Sequence, residues 1–133
     1  MLEIRSVGEI DHALEVGVKA GSLALVQLSS PLLGGLSAAK QIAESAATHR
    51  LPAVSMFRSF AEAGGLMSYG PNQREYDKRL AVYIDKILKG AKPAELPIEQ
   101  PTKFDFVINL KTAKMLGLTI PQSLRVQQVE LIE

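Results

Sequence analysis

Short runs of β-forming residues alternate along this chain with segments of helical periodicity. Strands are predicted for five such runs: Leu2–Val7, Leu23–Leu28, Pro52–Met56, Leu66–Tyr69 and Phe104–Leu110. This alternation is typical of βαβ units, in which the strands lie parallel because each crossover carries a helix. The sequence therefore predicts an α/β fold with a mainly parallel sheet of about five strands, flanked by helices.

The size of the chain indicates a single domain over 1–133. Its 133 residues and 47% hydrophobic content match one globular domain with a buried core. The run Leu23–Leu28 is almost continuously apolar, which is typical of a central strand covered on both faces. The surrounding stretch Gly21–Ala39 carries no charge, but its glutamine, serines, proline and glycines predict a strand, a turn and a helix start there rather than a membrane span.

The longest predicted helix spans about Gln73–Lys89 and needs a partner surface. Asn72 with Glu75 forms a capping-box-like pair at its start, and Gly90 ends it. Its large apolar side chains share one stripe: Tyr76, Leu80, Tyr83, Ile84, Ile87 and Leu88. Residues 91–103 hold three prolines and no helical period, which predicts an extended connector after the helix.

Charge and motifs argue against several classes of function. A formal net charge of +1 gives no positive field for nucleic acid, and the lack of cysteine excludes disulfides and cysteine-based zinc sites. His12 and His49 have no second ligand at a metal-binding spacing. The sequence contains no nucleophile-elbow serine, phosphate-binding loop or dinucleotide fingerprint. We therefore expect a protein that is not an enzyme and uses no metal and no cofactor.

Two loops follow the second and third predicted strands, and they carry the predicted ligand-binding residues. Open parallel α/β sheets bind ligands beyond the carboxyl ends of their strands. One loop offers the hydroxyls of Ser29 and Ser30, and the other offers the ring of Phe57 and the guanidinium of Arg58, which suits a carboxylate. The combination predicts a small polar or aromatic anion as ligand. The alternatives are core packing for Phe57 and Phe60 and a solvated charge for Arg58.

Three sequence segments from His49 onward are specific enough to indicate a family. The segments are HRLPAVSMFRSFAEAGGLMSYGPN, DKILKGAKPAELP and, around the last predicted strand, EQPTKF with INLKTAKMLGLTIP. Together they resemble the C-terminal part of ABC-transporter substrate-binding proteins of the periplasmic-binding-protein type I class, in the branch of tryptophan and tyrosine uptake receptors. The resemblance implies one lobe of a two-lobed protein that traps a small solute, such as an amino acid, without covalent chemistry and delivers it to an ABC permease.

The same resemblance assigns further features to particular residues. Gly70 and Pro71 correspond to a hinge crossing between the lobes. Relatives usually carry Asp-Pro where this chain has Ser30 and Pro31, so a carboxylate is missing from the predicted cleft. The resemblance implies a periplasmic or extracytoplasmic location, whereas the first residues, MLEIRSVGEI, lack an export signal, so the expected location is cytoplasmic if the sequence is complete as written.

The apolar stripe and the resemblance together predict a homodimer. In relatives the helix corresponding to Gln73–Lys89 packs on a first lobe that this sequence does not contain. A second copy would cover the stripe, with residues 66–103 acting as a crossover segment or exchanged between protomers as a domain swap. The alternative function is a dimerising remnant lobe that acts as an interaction module with no transport role.

Overall fold

The centre of the fold is one five-stranded sheet, seen in a computed structural model that describes residues 3–125 and 129–133. The strands lie in the order β1 Leu25–Gln27, β2 Ala53–Ser55, β3 Met67–Pro71, β4 Phe104–Asn109 and β5 Val129–Ile132. Parallel pairing joins β1 to β2, β2 to β3, and β4 to β5. The predicted α/β fold with a mainly parallel sheet of about five strands is confirmed.

The chain reverses direction between β3 and β4. The Asn109 backbone N–H donates to the Leu66 carbonyl at 2.9 Å, and the Asn72 N–H donates to the Lys103 carbonyl at 3.0 Å. Residue numbers therefore rise along one strand as they fall along the other, which is the antiparallel pattern. As a result, the carboxyl ends of β1, β2 and β3 lie at the same end of the sheet as the amino ends of β4 and β5.

Six α-helices connect and flank the strands within residues 3–125 and 129–133. They are α1 Ile10–Lys19, α2 Leu36–Thr48, α3 Arg58–Glu62, α4 Gln73–Leu88, α5 Leu110–Met115 and α6 Gln122–Arg125, with short 3-10 turns at Val7–Glu9 and Pro93–Glu95. The predicted cap of the longest helix is confirmed, since the Asn72 side chain accepts the Glu75 N–H at 2.9 Å. Gly90 follows the helix with φ 99°, which L side chains rarely adopt. No helix among the described residues is both long and apolar enough to cross a membrane.

The hydrophobic core lies between the sheet and the first three helices. Its central cluster joins α1, α2, β2 and α3 through Ile10, Leu14, Ala38, Ala39, Ile42, Ala43, Ala46, Ala53 and Phe60. Alanines dominate the face of α2, so this helix approaches its neighbours closely. Phe60 is 0% exposed and is the largest fully buried side chain. For Phe60 the core-packing alternative is therefore correct.

Two strand predictions are wrong. Residues 3–6 of the predicted first strand are not a strand, Val7 begins a 3-10 turn, and Leu2 falls outside the described residues. Ile4 packs against the core, but residues 3–6 are not among the paired strands of the described sheet. The sequence prediction also missed β5, whose pairing of Phe106 with Val129 is a tertiary contact that local sequence does not contain. The total of five strands agrees only because these two errors cancel.

The described chain separates into two compact units. One consists of residues 3–70 with 105–125 and 129–133, and the other of residues 71–104, which contain α4 and the proline-rich connector. The second unit lies almost entirely within the predicted crossover segment 66–103. That residues 1–133 form one domain, and that 66–103 is exchanged between protomers, both stay predictions.

Candidate functional site

The loop after β1 places Ser29 and Ser30 at the carboxyl end of the sheet. Ser29 is exposed and Ser30 is half-buried. The Ser30 Oγ accepts the Leu32 N–H at 3.2 Å, and its carbonyl accepts the N–H groups of Leu33 and Gly34 at 3.1 and 2.9 Å. The loop is therefore a tight turn organised by Ser30, whose hydroxyl can donate a hydrogen bond as well as accept one.

Phe57 lies beside this turn and brings the second predicted loop next to the first. It precedes α3 in an extended conformation, and its N–H donates to the Ser55 Oγ at 3.2 Å. A Cβ built on Gly34 would lie 3.5 Å from the Phe57 Cζ and 3.3 Å from the Ser30 carbonyl oxygen. The half-buried Phe57 ring therefore packs on the loop backbone, at the edge of the core rather than inside it.

Arg58 is held by two carboxylates. Its Nη1 and Nη2 donate to the two carboxylate oxygens of Glu130, both at 2.5 Å, and its Nε donates to Glu62 at 2.7 Å. The hydrogen bonds to Glu130, followed by those to Glu62, raise the pKa of Arg58 above its usual range, so the guanidinium stays charged. Arg58 is thus an ion-paired cation rather than a solvated one. A ligand carboxylate would have to replace Glu130 to be held in the same bidentate way.

A row of buried polar side chains crosses the sheet beneath the two loops. Gln27 pairs in register with Ser55, and Ser55 with Ser68, so all three lie on one face of β1, β2 and β3. The Gln27 Nε2 donates to the Leu33 carbonyl at 2.7 Å, but within the described part of the chain neither the Gln27 Oε1 nor the Ser68 Oγ has a hydrogen-bond partner. Buried polar atoms without partners cost stability, which is typical of sites with a functional constraint.

A cavity of about 520 Å³ opens beside β1. It is lined by β1, by Ser29 and Ser30, by Ile4 and by apolar side chains of α1 and α2. Phe57 and Arg58 do not line it. The structure therefore brings Phe57 next to the loop that carries Ser30, but it does not gather all four predicted residues around one enclosed cavity.

The two predicted hinge residues lie at the boundary between the compact units. One unit ends at Gly70 and the other begins at Pro71, both at the end of β3. A Cβ added to Gly70 would lie 2.0 Å from the Met56 carbonyl oxygen, so the strand approaches the loop that precedes Phe57 closer than any side chain allows. That the chain bends at Gly70 and Pro71 stays a prediction.

Sequence analysis missed three residues of this region. Glu62 is four positions after Arg58, a helical spacing that favours an ion pair and could have revealed it. Gln27 interrupts an apolar run, which is a weak signal for a buried polar role. No sequence pattern indicated a role for Glu130, because its approach to Arg58 depends on the pairing of β5 with β4.

Comparisons with known families and structures identify similar proteins. The sequence model of a family described as ABC transporter substrate binding protein matches residues 2–132. A conserved domain protein from Vibrio cholerae O1 biovar El Tor covers 98% of the chain with 22% identity and a TM-score of 0.86. An ABC domain in complex with L-Trp from Streptococcus pneumonia covers 98% with 25% identity and a TM-score of 0.82. A ligand-free, open substrate-binding protein with adhesive properties from Clostridium difficile covers 98% with 18% identity and a TM-score of 0.66.

The chain spans less than half the length of these structures, namely 43%, 44% and 42% of them. Each of those proteins therefore contains more chain than the fold described above. A comparison with curated proteins finds no match.

Proposed function

Because the chain belongs to the ABC transporter substrate-binding protein family, we propose that it forms one wall of a solute site and binds a small solute without covalent chemistry. The observation that carries this proposal is the approach of the β1 and β2 loops, in which the Phe57 ring packs beside Gly34 and the Ser30 carbonyl. These loops lie at the carboxyl ends of parallel strands, where α/β sheets bind ligands. Ser29, Ser30, Phe57 and Arg58 are the proposed contacts.

The proposed ligand is an amino acid, with an aromatic side chain as the first choice. The similar Streptococcus domain contains L-Trp, which supports this class. Phe57 offers a ring face for stacking, and Arg58 offers a guanidinium that could exchange its Glu130 carboxylate for that of the ligand. The hydroxyls of Ser29 and Ser30 are neutral, so they suit hydrogen bonds to the ligand better than binding of its ammonium group.

The rest of the proposal follows from the family. The protein would act outside the cytoplasm, close over its solute by bending at Gly70 and Pro71, and pass the solute to an ABC permease. We propose that further residues of a longer protein supply the second wall of the site, since the similar structures are more than twice as long as this chain. A single wall leaves the ligand partly in water, so the 133-residue chain should bind more weakly than a closed two-lobed protein.

Direct titration of L-tryptophan tests the proposal. The chain contains no tryptophan, so light absorbed at the red edge of the indole band excites the ligand and not the protein. We expect the fluorescence anisotropy of L-tryptophan to rise with protein concentration. Arg58→Gln should weaken binding by about 10-fold or more, because hydrogen bonds to charged groups contribute about 1.5–3 kcal/mol.

Arg74→Gln is the matched control, since it removes an exposed arginine of α4 and should leave the affinity unchanged. Tyrosine, leucine and glutamate, added as competitors, define the ligand class. A folded protein that leaves the anisotropy flat at millimolar concentration would count against solute binding by this chain. Equal losses in Arg58→Gln and Arg74→Gln would count against the proposed site.

A second candidate function is supported by the apolar face of α4. No residue of this helix is buried, and its exposed side chains include Tyr76, Leu80, Ile84, Ile87 and Leu88. Within the same unit, Arg79 forms an ion pair with Glu99 at 2.5 Å and the Tyr83 hydroxyl donates to the Pro97 carbonyl. These contacts hold the proline-rich connector, residues 91–103, against α4. The alternative is therefore a homodimer in which α4 meets a second copy, with or without exchange of residues 66–103, and which serves as an interaction module.

Light scattering tests this alternative. If α4 forms the contact, a lysine at Ile84, which is 49% exposed, should lower the measured mass, because two copies of the stripe would each gain a buried charge. Val82→Lys is the control, since Val82 is also exposed but lies on the opposite side of the helix from the stripe. An Ile84→Lys variant with the same mass as the parent chain would contradict an α4 interface.

A further inference from the structure

Two carboxylates pair with the single guanidinium of Arg58, and they reach it from different parts of the fold. Glu62 belongs to the same helix, four positions along, and accepts from the Arg58 Nε at 2.7 Å. Glu130 belongs to β5 and accepts from Nη1 and Nη2 through its two oxygens. The cluster therefore holds one positive and two negative charges. Because Glu62 alone balances the charge of Arg58, Glu130 is not needed for that purpose.

The Glu130 carboxylate occupies the edge of Arg58 that a solute carboxylate would use. Its two hydrogen bonds form the bidentate arrangement in which arginine recognises carboxylates. Glu62 holds the guanidinium through Nε and leaves the Nη edge to Glu130. If the Glu130 side chain moves away, Arg58 therefore keeps a partner on its own helix and presents its Nη edge to a solute.

Both partners of the pair between Arg58 and Glu130 are partly exposed to solvent. The Arg58 side chain is 37% exposed and the Glu130 side chain 52%. Ion pairs with this exposure contribute little to stability, because water solvates and screens the separated charges. A buried pair would behave differently, since breaking it leaves a charge without water or a partner. The Glu130 carboxylate is therefore easily exchanged for another carboxylate.

We propose that Glu130 is an internal competitor of the solute, a carboxylate that occupies Arg58 until a solute carboxylate displaces it. This inference rests on the proposed function, because it takes Arg58 as a contact of the solute. A solute that uses Arg58 binds only to the fraction of molecules whose Nη edge is open, so Glu130 lowers its apparent affinity. Solutes without a carboxylate do not need that edge. Glu130 thus sets the affinity for carboxylate-bearing solutes in particular.

Glu130→Gln tests the competition, because it removes the charge while keeping the size of the side chain. L-Tryptophan binding, measured by fluorescence anisotropy, should become about 2-fold to 5-fold tighter than in the parent chain, as expected when an exposed ion pair no longer competes. Tryptamine carries the same indole and ammonium groups without a carboxylate, and it should bind no more tightly to the variant. In an Arg58→Gln background the gain from Glu130→Gln should disappear, since the competition acts through Arg58.

Glu62→Gln is the matched control. It removes one negative charge from the same guanidinium but leaves the Nη edge paired with Glu130, so any gain in L-tryptophan affinity should be smaller than in Glu130→Gln. Equal gains in the two variants would show a general charge effect and overturn the inference. So would a Glu130→Gln chain that binds L-tryptophan no more tightly than the parent. Both results leave the proposed function intact, because the parent still binds, whereas flat titrations of the parent and of Glu130→Gln overturn the proposed function and this inference with it.

NMR of the Glu130 side-chain carboxyl carbon in the parent chain gives a second readout, which needs no substitution at this position. Its resonance should shift when L-tryptophan saturates the protein, because the carboxylate leaves Arg58 for water. Tryptamine should not produce this shift. A Glu130 resonance that stays unchanged while L-tryptophan is bound would contradict displacement.

Discussion

Replacing Gly70 by alanine should destabilise the protein by about 3 kcal/mol or more, one of the two largest effects expected for a single substitution. The added Cβ would lie 2.0 Å from the Met56 carbonyl oxygen and 2.8 Å from its carbonyl carbon. Both atoms belong to backbone, so no rotamer change relieves the clash. Either β3 must move away from the loop after β2 or that loop must move away from β3.

The movement should also disturb the solute site. Met56 directly precedes Phe57 and Arg58, so a displaced Met56 carbonyl shifts the ring and the guanidinium that we assign to the ligand. We expect Gly70→Ala to weaken L-tryptophan binding at temperatures where the variant remains folded. Urea unfolding followed by circular dichroism gives the stability, and the midpoint should fall with little change in slope.

Gly35→Ala is the matched control for this prediction. Gly35 has ordinary extended angles, φ −79° and ψ 155°, and nothing lies within 4 Å of a Cβ built on it. Because Gly35 is the N-cap of α2, where alanine is less favourable than glycine, alanine there should lower the unfolding free energy by about 1 kcal/mol at most, well below the effect at Gly70. If Gly70→Ala proved as harmless as Gly35→Ala, the close approach of β3 to the Met56 carbonyl would be wrong.

The parts of the fold that local sequence determines were predictable. Helix α4 agrees with its predicted position to within one residue, because apolar periodicity and end signals such as Asn72 and Gly90 act within one helical turn. Family membership was predicted from three segments and is confirmed by the match over residues 2–132. By contrast, the sequence did not predict β5, and it wrongly predicted a strand at residues 3–6. Whether a segment forms a strand depends on the strands available for pairing, which local sequence does not determine.

The candidate site, like the fold, was predictable only where local sequence determines it. The loops after β1 and β2 were predicted to lie at one edge of the sheet, because parallel strands place their carboxyl ends together, and the structure does bring Phe57 beside the Ser30 loop. The pairing of Arg58 with Glu130 was not predictable, since 71 residues separate them in the chain and β5 itself was missed. Whether these residues bind a solute remains the proposal that the titration tests.

Phe60 and Phe57 lie three positions apart, and the structure gives them different roles. Phe60 is fully buried in the central cluster, whereas Phe57 is half-buried beside Gly34. We expect Phe60→Ala to cost about 3–5 kcal/mol of unfolding free energy, a large fraction of the about 5–15 kcal/mol of a typical domain. Thermal or urea unfolding measures it directly.

The upper part of that range is expected because the cavity left by Phe60 cannot close. Its ring lies against Gly65, where a Cβ would come within 2.1 Å of the Phe60 Cε1, so no side chain is available there to fill the space. The other members of the cluster on α2 are mostly alanines, which are too short to reach into it. A cavity that the surroundings cannot fill costs more than the transfer energy of the lost atoms alone.

Phe57→Ala, measured in parallel with Phe60→Ala, distinguishes a role in the core from a role in the solute site. A half-buried ring at a loop should cost about 1 kcal/mol of stability, yet its loss should weaken L-tryptophan binding by removing the stacking surface. Phe60→Ala should show the opposite pattern. Its unfolding free energy should fall by much more, whereas its affinity for L-tryptophan, measured at a low temperature where the variant is folded, should fall by less. If Phe57→Ala instead destabilised the protein as much as Phe60→Ala while leaving affinity unchanged, both phenylalanines would be core residues. The aromatic contact of the proposed solute site would then have to come from elsewhere.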